Sequence, residues 1–147
     1  MTHKFVHRLI SLFVALAVML AGVTSALGAD GTLDPSFGTG GILTTDFFGR
    51  SDFGTAVTVQ PDDKIIMAGF SLNGSDYDFA LVRYNTDGSL DTTFDTDGKA
   101  TTDFGIGSND IGHAVALQPD GKIIVAGITY NGSNYDIALV RYNNDGL

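Results

Sequence analysis

Apolar residues alternate with polar or small residues in short runs along most of the chain. Two pairs of such runs are "GTAVTVQ" with "KIIMAGFS" (residues 54–60 and 64–71) and "GHAVALQ" with "KIIVAGIT" (residues 112–118 and 122–129). A period of two over runs of this length predicts half-buried β-strands. After the first 29 residues, no stretch carries the 3.6-residue apolar period of an amphipathic helix. The pattern therefore predicts an all-β fold.

The residues between these runs are those that tight turns require. "PDD" and "PDG" separate the members of each pair, so that Asp63 and Gly121 stand at a third turn position that needs a positive φ. Gly adopts that conformation freely, whereas Asp only tolerates it. Asn-Gly dipeptides at residues 73–74 and 131–132 then lead into a third strand of each group. Each group is thus predicted to contain consecutive antiparallel hairpins.

The predicted strands belong to an internal repeat. Residues 30–86 align with residues 87–144 with one extra residue in the second copy, and about 34 of the 57 aligned positions are identical. "GILTTDF" (41–47) and "GKATTDF" (98–104) supply a fourth strand per copy. Residues 145–147 begin a third copy. A period of 57 to 58 residues is longer than the ~40–50 of WD40 and kelch blades, but of that kind.

Three long motifs carry a resemblance to a known family. They are "DGSLDTTFDTDGKATTDF" from Asp87, "AVALQPDGKIIVAG" from Ala114, and "ALVRYNNDG" from Ala138. They resemble the delta-60 repeats, a bacterial family of unassigned function thought to form β-propellers. More loosely, the hairpins ending in Ala-Gly at Gly69 and Gly127 are similar to kelch blades. The resemblance implies propeller blades of four antiparallel strands.

The blades predicted in this way form an incomplete propeller of about two repeats. One complete blade spans residues 52–104, and a second begins at Asp110 without an outer strand. Propellers close with ~4–8 blades, so we expect the chain to be a fragment of a longer one. Residues 30–48 then resemble a lone fourth strand. We expect this strand to close a ring, or here to pair with the third strand of the second blade at residues 137–142.

The first 29 residues have the layout of a secretory signal peptide. A basic start with Lys4 and Arg8 precedes the apolar run "LISLFVALAVML" and then small residues. The run of twelve residues is shorter than the ~20 that span a bilayer, so no mature transmembrane segment is expected. The predicted location is extracellular or at the cell surface.

The charge of the chain excludes some partners. All 17 acidic residues are Asp, and the formal net charge is −9. Such a charge repels nucleic acid and anionic membranes, so neither is expected as a partner. The Asp excess instead indicates turns, in which the Asp side chain bonds its nearby backbone. With no cysteine, disulfides are unavailable. The remaining partners are an extracellular ligand or other domains of a longer chain.

Catalytic candidates are sparse. His113 is the only histidine after residue 29, which leaves a Ser-His-Asp set or a zinc site without support. Asp pairs two residues apart, Asp76 with Asp78 and Asp95 with Asp97, leave glycosidase-like chemistry open, but their spacing selects no acid and no nucleophile. No catalytic residue is assigned, and the expected class is not an enzyme.

Calcium is the one cofactor considered. Asp95 and Asp97 lie in "FDTDG", which contains part of the oxygen-rich loop of calcium sites. The rest of the EF-hand spacing is absent, and the first copy reads "GTGG" at the same place. Turn chemistry is therefore the favoured explanation of the motif, and a weak extracellular calcium site is the alternative.

The repeated "ALVRYN" strand predicts structural rather than ligand-binding residues. Strand alternation places Phe79, Leu81 and Arg83 on one face and Ala80, Val82 and Tyr84 on the other. We expect Arg83 to lay its stem on apolar surface and to pair with the Asp of "TTDF". The predicted structural repeat positions are Arg83, Arg141, Tyr84, Tyr142, Asp46, Asp103, Gly69 and Gly127.

Three functions fit these observations. The first is a secreted or cell-surface propeller segment that acts as a non-enzymatic binding or scaffold module. The second is a carbohydrate-active hydrolase or lyase, which would need non-repeated polar residues such as His113 and Asp110 to converge at a channel mouth. The third is a purely structural spacer in a larger surface protein.

Overall fold

All regular structure in the described part of the chain is β-strand. The computed structural model describes residues 31–105 and 107–147, so the predicted signal peptide at residues 1–29 lies outside the described residues. Residues Leu33–Leu147 form one compact unit. In the described ranges, no helix is long and apolar enough to cross a membrane.

In residues 31–105 and 107–147, seven strands form two antiparallel sheets, one per predicted blade. The first sheet has the order β1-β2-β3-β4 and the second the order β5-β6-β7. The strands are β1 (Asp52–Val59), β2 (Ile65–Asn73), β3 (Asp76–Tyr84), β4 (Lys99–Thr102), β5 (Asp110–Leu117), β6 (Ile123–Tyr130) and β7 (Tyr135–Tyr142). The prediction of one four-stranded blade followed by a three-stranded blade is confirmed.

The hairpins form where the turn residues predict them. Asp63 has φ 63° and Gly121 has φ 83°, both in the left-handed region. In each turn the residue after the first strand donates its N–H to the carbonyl of the residue before the second, from Gln60 to Lys64 and from Gln118 to Lys122, at 2.8 Å. The third turn position therefore requires a positive φ, as the sequence indicates.

Glycine in "AG" marks a close approach of two strands. A Cβ at Gly69 would lie 1.8 Å from the carbonyl oxygen of Phe53, and one at Gly127 would lie 2.0 Å from that of Ile111. The neighbouring strand is irregular there, with a register shift after Gly54 in β1 and an equivalent shift in β5. The repeated glycine is a packing requirement of the bulged hairpin.

The hydrophobic core lies between the two sheets. Phe79 and Leu81 on β3 are fully buried, and together with Ile66 on β2 they belong to one cluster with Ile123 and Val125 on β6. Since β2 and β3 of the first sheet meet the second sheet through this face, the predicted alternation along β3 is confirmed. The opposite face of β3 carries Ala80, Val82 and Tyr84.

Two predictions about residues 30–48 are wrong. The described part of this segment contains only a single bridge between Thr39 and Ile42, rather than a strand over residues 41–47. It also does not pair with β7, whose sole strand partner among the described residues is β6. The segment lies instead along the first sheet, where Tyr84 donates a hydrogen bond to Thr45 Oγ1 at 2.7 Å. It has no strand beside it to pair with, so its backbone remains irregular.

Candidate functional site

Arg83 at the end of β3 is the centre of a cluster of polar contacts. Its side chain is buried, and Nε donates to Asp91 Oδ2 at 2.7 Å. Nη2 donates to Thr93 Oγ1 at 3.2 Å, and Nη1 donates to the backbone carbonyl of Asn144. The guanidinium lies 4.8 Å from the ring centre of Phe94. We call these residues, with Lys64, the Arg83 cluster.

Asp91 is the anionic centre of the Arg83 cluster. Burial alone would raise its pKa, but hydrogen bonds from Lys64 and Thr93 and the charge of Arg83 together hold the pKa far below its ordinary value. Lys64 Nζ lies 2.8 Å from the same Oδ2 that accepts from Arg83. The buried carboxylate of Asp91 is thus paired with two cations and accepts a hydrogen bond from a hydroxyl group. A buried charge is tolerated when it is paired and hydrogen-bonded in this way.

The predicted partner of Arg83 is wrong. Asp46 and Asp103 of the two "TTDF" motifs do not bond Arg83. They accept backbone N–H groups in the following turns, Asp46 from Gly49 at 2.8 Å and Asp103 from Gly105 at 2.7 Å. The partner is the Asp of "SLDTTF", because the loop from β3 to β4 passes directly beneath the end of β3, where Asp91 N–H donates to the carbonyl of Arg83 at 2.9 Å.

The Arg83 cluster joins the two repeats. Asp95 N–H donates to the carbonyl of Asp145 at 2.7 Å, and Gly146 lies so close to the ring of Phe94 that a Cβ there would approach it to 2.9 Å. The turn "YNNDG" at the end of the second blade is thereby held on the loop between β3 and β4 of the first blade. Gln60 adds a further contact, since its Nε2 donates to Asn144 Oδ1 at 2.9 Å.

Arg141, the equivalent of Arg83 in the second repeat, does not have these contacts. Arg141 is exposed and forms no ion pair with any residue of the described ranges. Lys122, the counterpart of Lys64, pairs instead with Asp120 in its own turn at 2.6 Å. The predicted equivalence of Arg83 and Arg141 therefore holds in position along the strand but not in contacts.

The repeated tyrosines form a second pair of equivalent contacts. Tyr84 Oη donates to Thr45 Oγ1 at 2.7 Å, and Tyr142 Oη lies 2.6 Å from Thr102 Oγ1. Burial raises the pKa of both phenols, with each hydrogen bond opposing the shift. Each tyrosine therefore reaches across to a threonine of the preceding "TTDF" segment, and the structural role predicted for it is consistent with these contacts.

Beside the Arg83 cluster lies an open polar depression of about 450 Å³, lined by Asp62, Lys64, Arg83, Thr93 and residues 143–145. It presents both charges, but the cations are already engaged with Asp91. A ligand there would have to compete with that carboxylate.

Three carboxylates converge at the other end of β3. One oxygen each of Asp78, Asp103 and Asp110 lies within 4.8 Å of the others, and this is the only potential metal-binding group of three found in residues 31–105 and 107–147. Burial raises the pKa of Asp78, opposed by a hydrogen bond from Asn73 and reinforced by the charges of Asp103, Asp76 and Asp110. Asp110 is fully buried and already accepts hydrogen bonds from Ser108 and Thr129.

The calcium candidates Asp95 and Asp97 are not part of that group. Asp97 accepts the backbone N–H of Lys99 at 2.9 Å and lies 3.7 Å from its Nζ. Asp95 has φ 42°, as expected at a turn position. His113 is exposed on β5, and its counterpart Thr55 donates a hydrogen bond to the carbonyl of Gly112 at 2.7 Å. These residues are not brought together into one site.

Sequence reasoning missed the role of Asp91, Lys64 and Asn144. A signal was present, because "TLDPSF" and "SLDTTF" place Asp34 and Asp91 at the same position of both copies. The alternative partner in "TTDF" also recurs once per copy, so recurrence alone could not decide between them.

Comparison with known proteins supports a family of β-propeller repeats. A family described as "Domain of unknown function (DUF5122) beta-propeller" matches residues 60–94 and 118–147. The two segments begin at equivalent residues, Gln60 and Gln118, and the first contains every member of the Arg83 cluster except Asn144, which falls in the second. No curated protein matches the chain. The two sheets are therefore blades of the β-propeller type.

Proposed function

We propose that these two β-propeller blades belong to a secreted or cell-surface protein and serve as a non-enzymatic scaffold and binding module. The observation that carries the proposal is that Arg83, the charged residue of the repeated "ALVRYN" strand, is buried in an ion pair and in contacts between the repeats. Such contacts stabilise the junction between the two blades, and they leave the arginine unavailable for a catalytic reaction.

The group of three carboxylates at the other end of β3 supports the same proposal. Asp103 is exposed, but Asp78 and Asp110 are buried and hydrogen-bonded. A glycosidase needs two carboxylates that both reach the scissile bond. A hydrolase or lyase therefore remains the second candidate, favoured only by the raised pKa of Asp78 beside two further carboxylates.

The experiment that tests the proposal combines binding with turnover. The chain is screened against polysaccharides and peptides, with and without Ca²⁺, and glycan products are measured in the same samples. We expect no turnover. Binding to one class of ligand would identify the binding module, and a complete lack of binding would favour a spacer.

Two variants separate stability from activity. Arg83→Met should lower stability without removing any activity of the folded fraction, whereas Asp103→Asn should remove turnover if the carboxylates are catalytic. Glycan release that disappears in Asp103→Asn would overturn the non-enzymatic proposal.

A further inference from the structure

Two outer surfaces of the molecule align in sequence with the two sheet faces that pack against each other in the core. We call the side chains that the second sheet turns away from the first the forward face. It consists of Ile124, Ala126, Ile137 and Leu139, which align with Ile66, Ala68, Phe79 and Leu81. Phe79 and Leu81 are 0% exposed between the sheets, whereas Ile137 is 92% and Leu139 is 64% exposed.

The rear face lies on the opposite side of the first sheet. It consists of Val57, Val59, Ile65 and Met67, which align with Val115, Leu117, Ile123 and Val125. Those four residues of the second sheet belong to or pack against the core between the sheets. Val57 and Val59 are 60% and 57% exposed. The internal interface thus joins a surface of the forward type to one of the rear type, and each type occurs once more in the described residues without a second sheet packed on it.

The N-terminal segment sits on the first sheet as β4 sits on the second. Three contacts repeat: Thr45 with Tyr84 and Thr102 with Tyr142; Phe47 N–H to Asp52 Oδ2 and Phe104 N–H to Asp110 Oδ2; Gly38 N–H to the Asp87 carbonyl and Asp95 N–H to the Asp145 carbonyl. Residues 41–47 therefore occupy the position of an outer strand, without the three inner strands of its own sheet among the described residues.

We propose that copies of this chain assemble head to tail, with the forward face of one copy on the rear face of the next and residues 41–47 of the second copy added as the fourth strand of β5-β6-β7. The register follows from the first sheet, where β3 pairs with β4 through Phe79↔Thr102 and Leu81↔Ala100. The equivalent pairs between copies are Ile137 with Thr45 and Leu139 with Leu43.

Charge complementarity identifies a second copy as the occupant. Arg141, which is exposed, would meet Asp34 of the next copy as Arg83 meets Asp91, and Lys122 would stand where Lys64 does. Asp34 is exposed, and within residues 31–105 and 107–147 its side chain accepts hydrogen bonds from Ser36 of its own turn alone. Both halves of the ion pair are therefore present in one chain and are kept apart within it.

The differences between the repeats also fit this contact. A Cβ at Gly127 would meet the ring of Phe79 at 2.6 Å, so that this ring fills the space over the glycine. In the proposed contact the smaller Ile137 would lie over Gly69. Two residues before the glycine in the same strand, the second sheet has Val125 and the first sheet has the longer Met67. The smaller side chain on the forward face is therefore matched by a larger one on the rear face.

The contact is heterologous, so it must close into a ring or continue as a filament. Two blades per copy would give closed rings of two to four copies for the ~4–8 blades of a propeller. The added strand also removes the unpaired edge of β7, which would otherwise be open to uncontrolled pairing.

Light scattering on the purified chain tests the assembly, with Arg141→Asp, Asp34→Arg and the charge-swapped double variant beside it. We expect a fixed mass of two to four copies for the wild type, a shift to monomer in each single variant, and recovery in the double variant. Ser133→Asp adds one negative charge to an exposed turn of the second blade, away from the proposed contact, and should leave the mass unchanged. A wild type that is a folded monomer at ~100 µM, or a double variant that fails to recover, would overturn the proposal.

Cysteine pairs test the register, since the chain has no cysteine of its own. Leu139→Cys with Leu43→Cys places two thiols at directly opposed positions of neighbouring copies, where Cβ atoms approach to ~4.5–5.5 Å. Oxidation should give covalently linked copies on a non-reducing gel. Leu139→Cys with Thr45→Cys is two residues out of register and should link much less. Equal linking in both, or none in either, would contradict the proposed strand pairing.

Discussion

Replacing Arg83 by Met removes the charge at the centre of the Arg83 cluster while retaining much of the side chain's apolar stem. Arg83 and Asp91 are both 5% exposed in their side chains, with 2.7 Å between Nε and Oδ2. Removing one partner of a buried ion pair leaves the other charge buried and costs about 3–5 kcal/mol.

Two features of the cluster adjust that figure in opposite directions. Lys64 remains 2.8 Å from the same carboxylate oxygen and is 28% exposed, so Asp91 keeps one cation and the cost falls. The carbonyl of Asn144 loses a charged donor, which adds about 1 kcal/mol or more. We therefore expect Arg83→Met to lower the free energy of unfolding by about 3 kcal/mol.

The assay is urea-induced unfolding followed by far-UV circular dichroism, in protein dilute enough to be monomeric. Arg141→Met is the matched control, because it makes the same change at the equivalent residue, which is exposed, and it should alter stability by no more than about 0.5 kcal/mol. A loss below about 1 kcal/mol for Arg83→Met would refute the buried ion pair as the source of stability.

The pH dependence gives a second readout of the same pair. The pKa of Asp91 in the folded chain lies well below its ordinary value of 3.8. Its contribution to stability is therefore complete above pH 3.8 and declines as the pH falls below that value. The difference between the wild type and Arg83→Met should shrink in acid, and a difference that stays constant down to pH 2 would contradict the electrostatic explanation.

Three further substitutions test the turns, the acidic group and the strand contact. Asp63→Gly should stabilise the chain by about 0.5–1 kcal/mol, because φ at that position is 63°, and Gly121→Asp should cost a similar amount in the same thermal melt. Asp78→Asn should raise the melting temperature at neutral pH, with the gain disappearing in acid, since the raised pKa of Asp78 makes its ionised form unfavourable in the folded chain; a Ca²⁺-dependent stabilisation seen only in the wild type would instead indicate a cation at that group. Gly69→Ala should prevent normal pairing of β1 with β2, because the new Cβ would lie 1.8 Å from a carbonyl oxygen, and a variant with unchanged stability would show that the strands can separate without cost.

The sequence predicts the elements of the fold well because each strand is defined locally. Alternation identifies the three long strands of each sheet, and the turn residues place Asp63 and Gly121 at positive φ, as observed. The repeat supplies an independent check, since a turn or strand found in one copy is expected in the other. Such features depend on residues within a few positions of one another.

The contacts of the site were less predictable because they depend on chain segments far apart in sequence. Arg83 meets Asn144 across 61 residues, and its acidic partner is in the loop below the strand rather than on the strand beside it. Both candidate acids recur once per repeat, so only the path of the loop distinguishes Asp91 from Asp103. The same limit explains the error over residues 41–47, whose sequence matches β4 but which no strand of the described ranges pairs with edge to edge.

The "RYN" motif has a different environment in each repeat, because different segments pack against the two copies. In the first repeat Arg83 is buried against the turn of the second repeat and is paired with Asp91. In the second repeat Tyr142 is still buried, because it faces back toward β4, while Arg141 points forward and is exposed. Each copy of the motif therefore has a backward contact made by tyrosine and a forward contact made by arginine. The forward contact needs a following blade, so in an isolated pair of blades Arg141 at the forward end and Asp34 of the "LDPSF" loop at the rear have no ion-pair partner among the described residues.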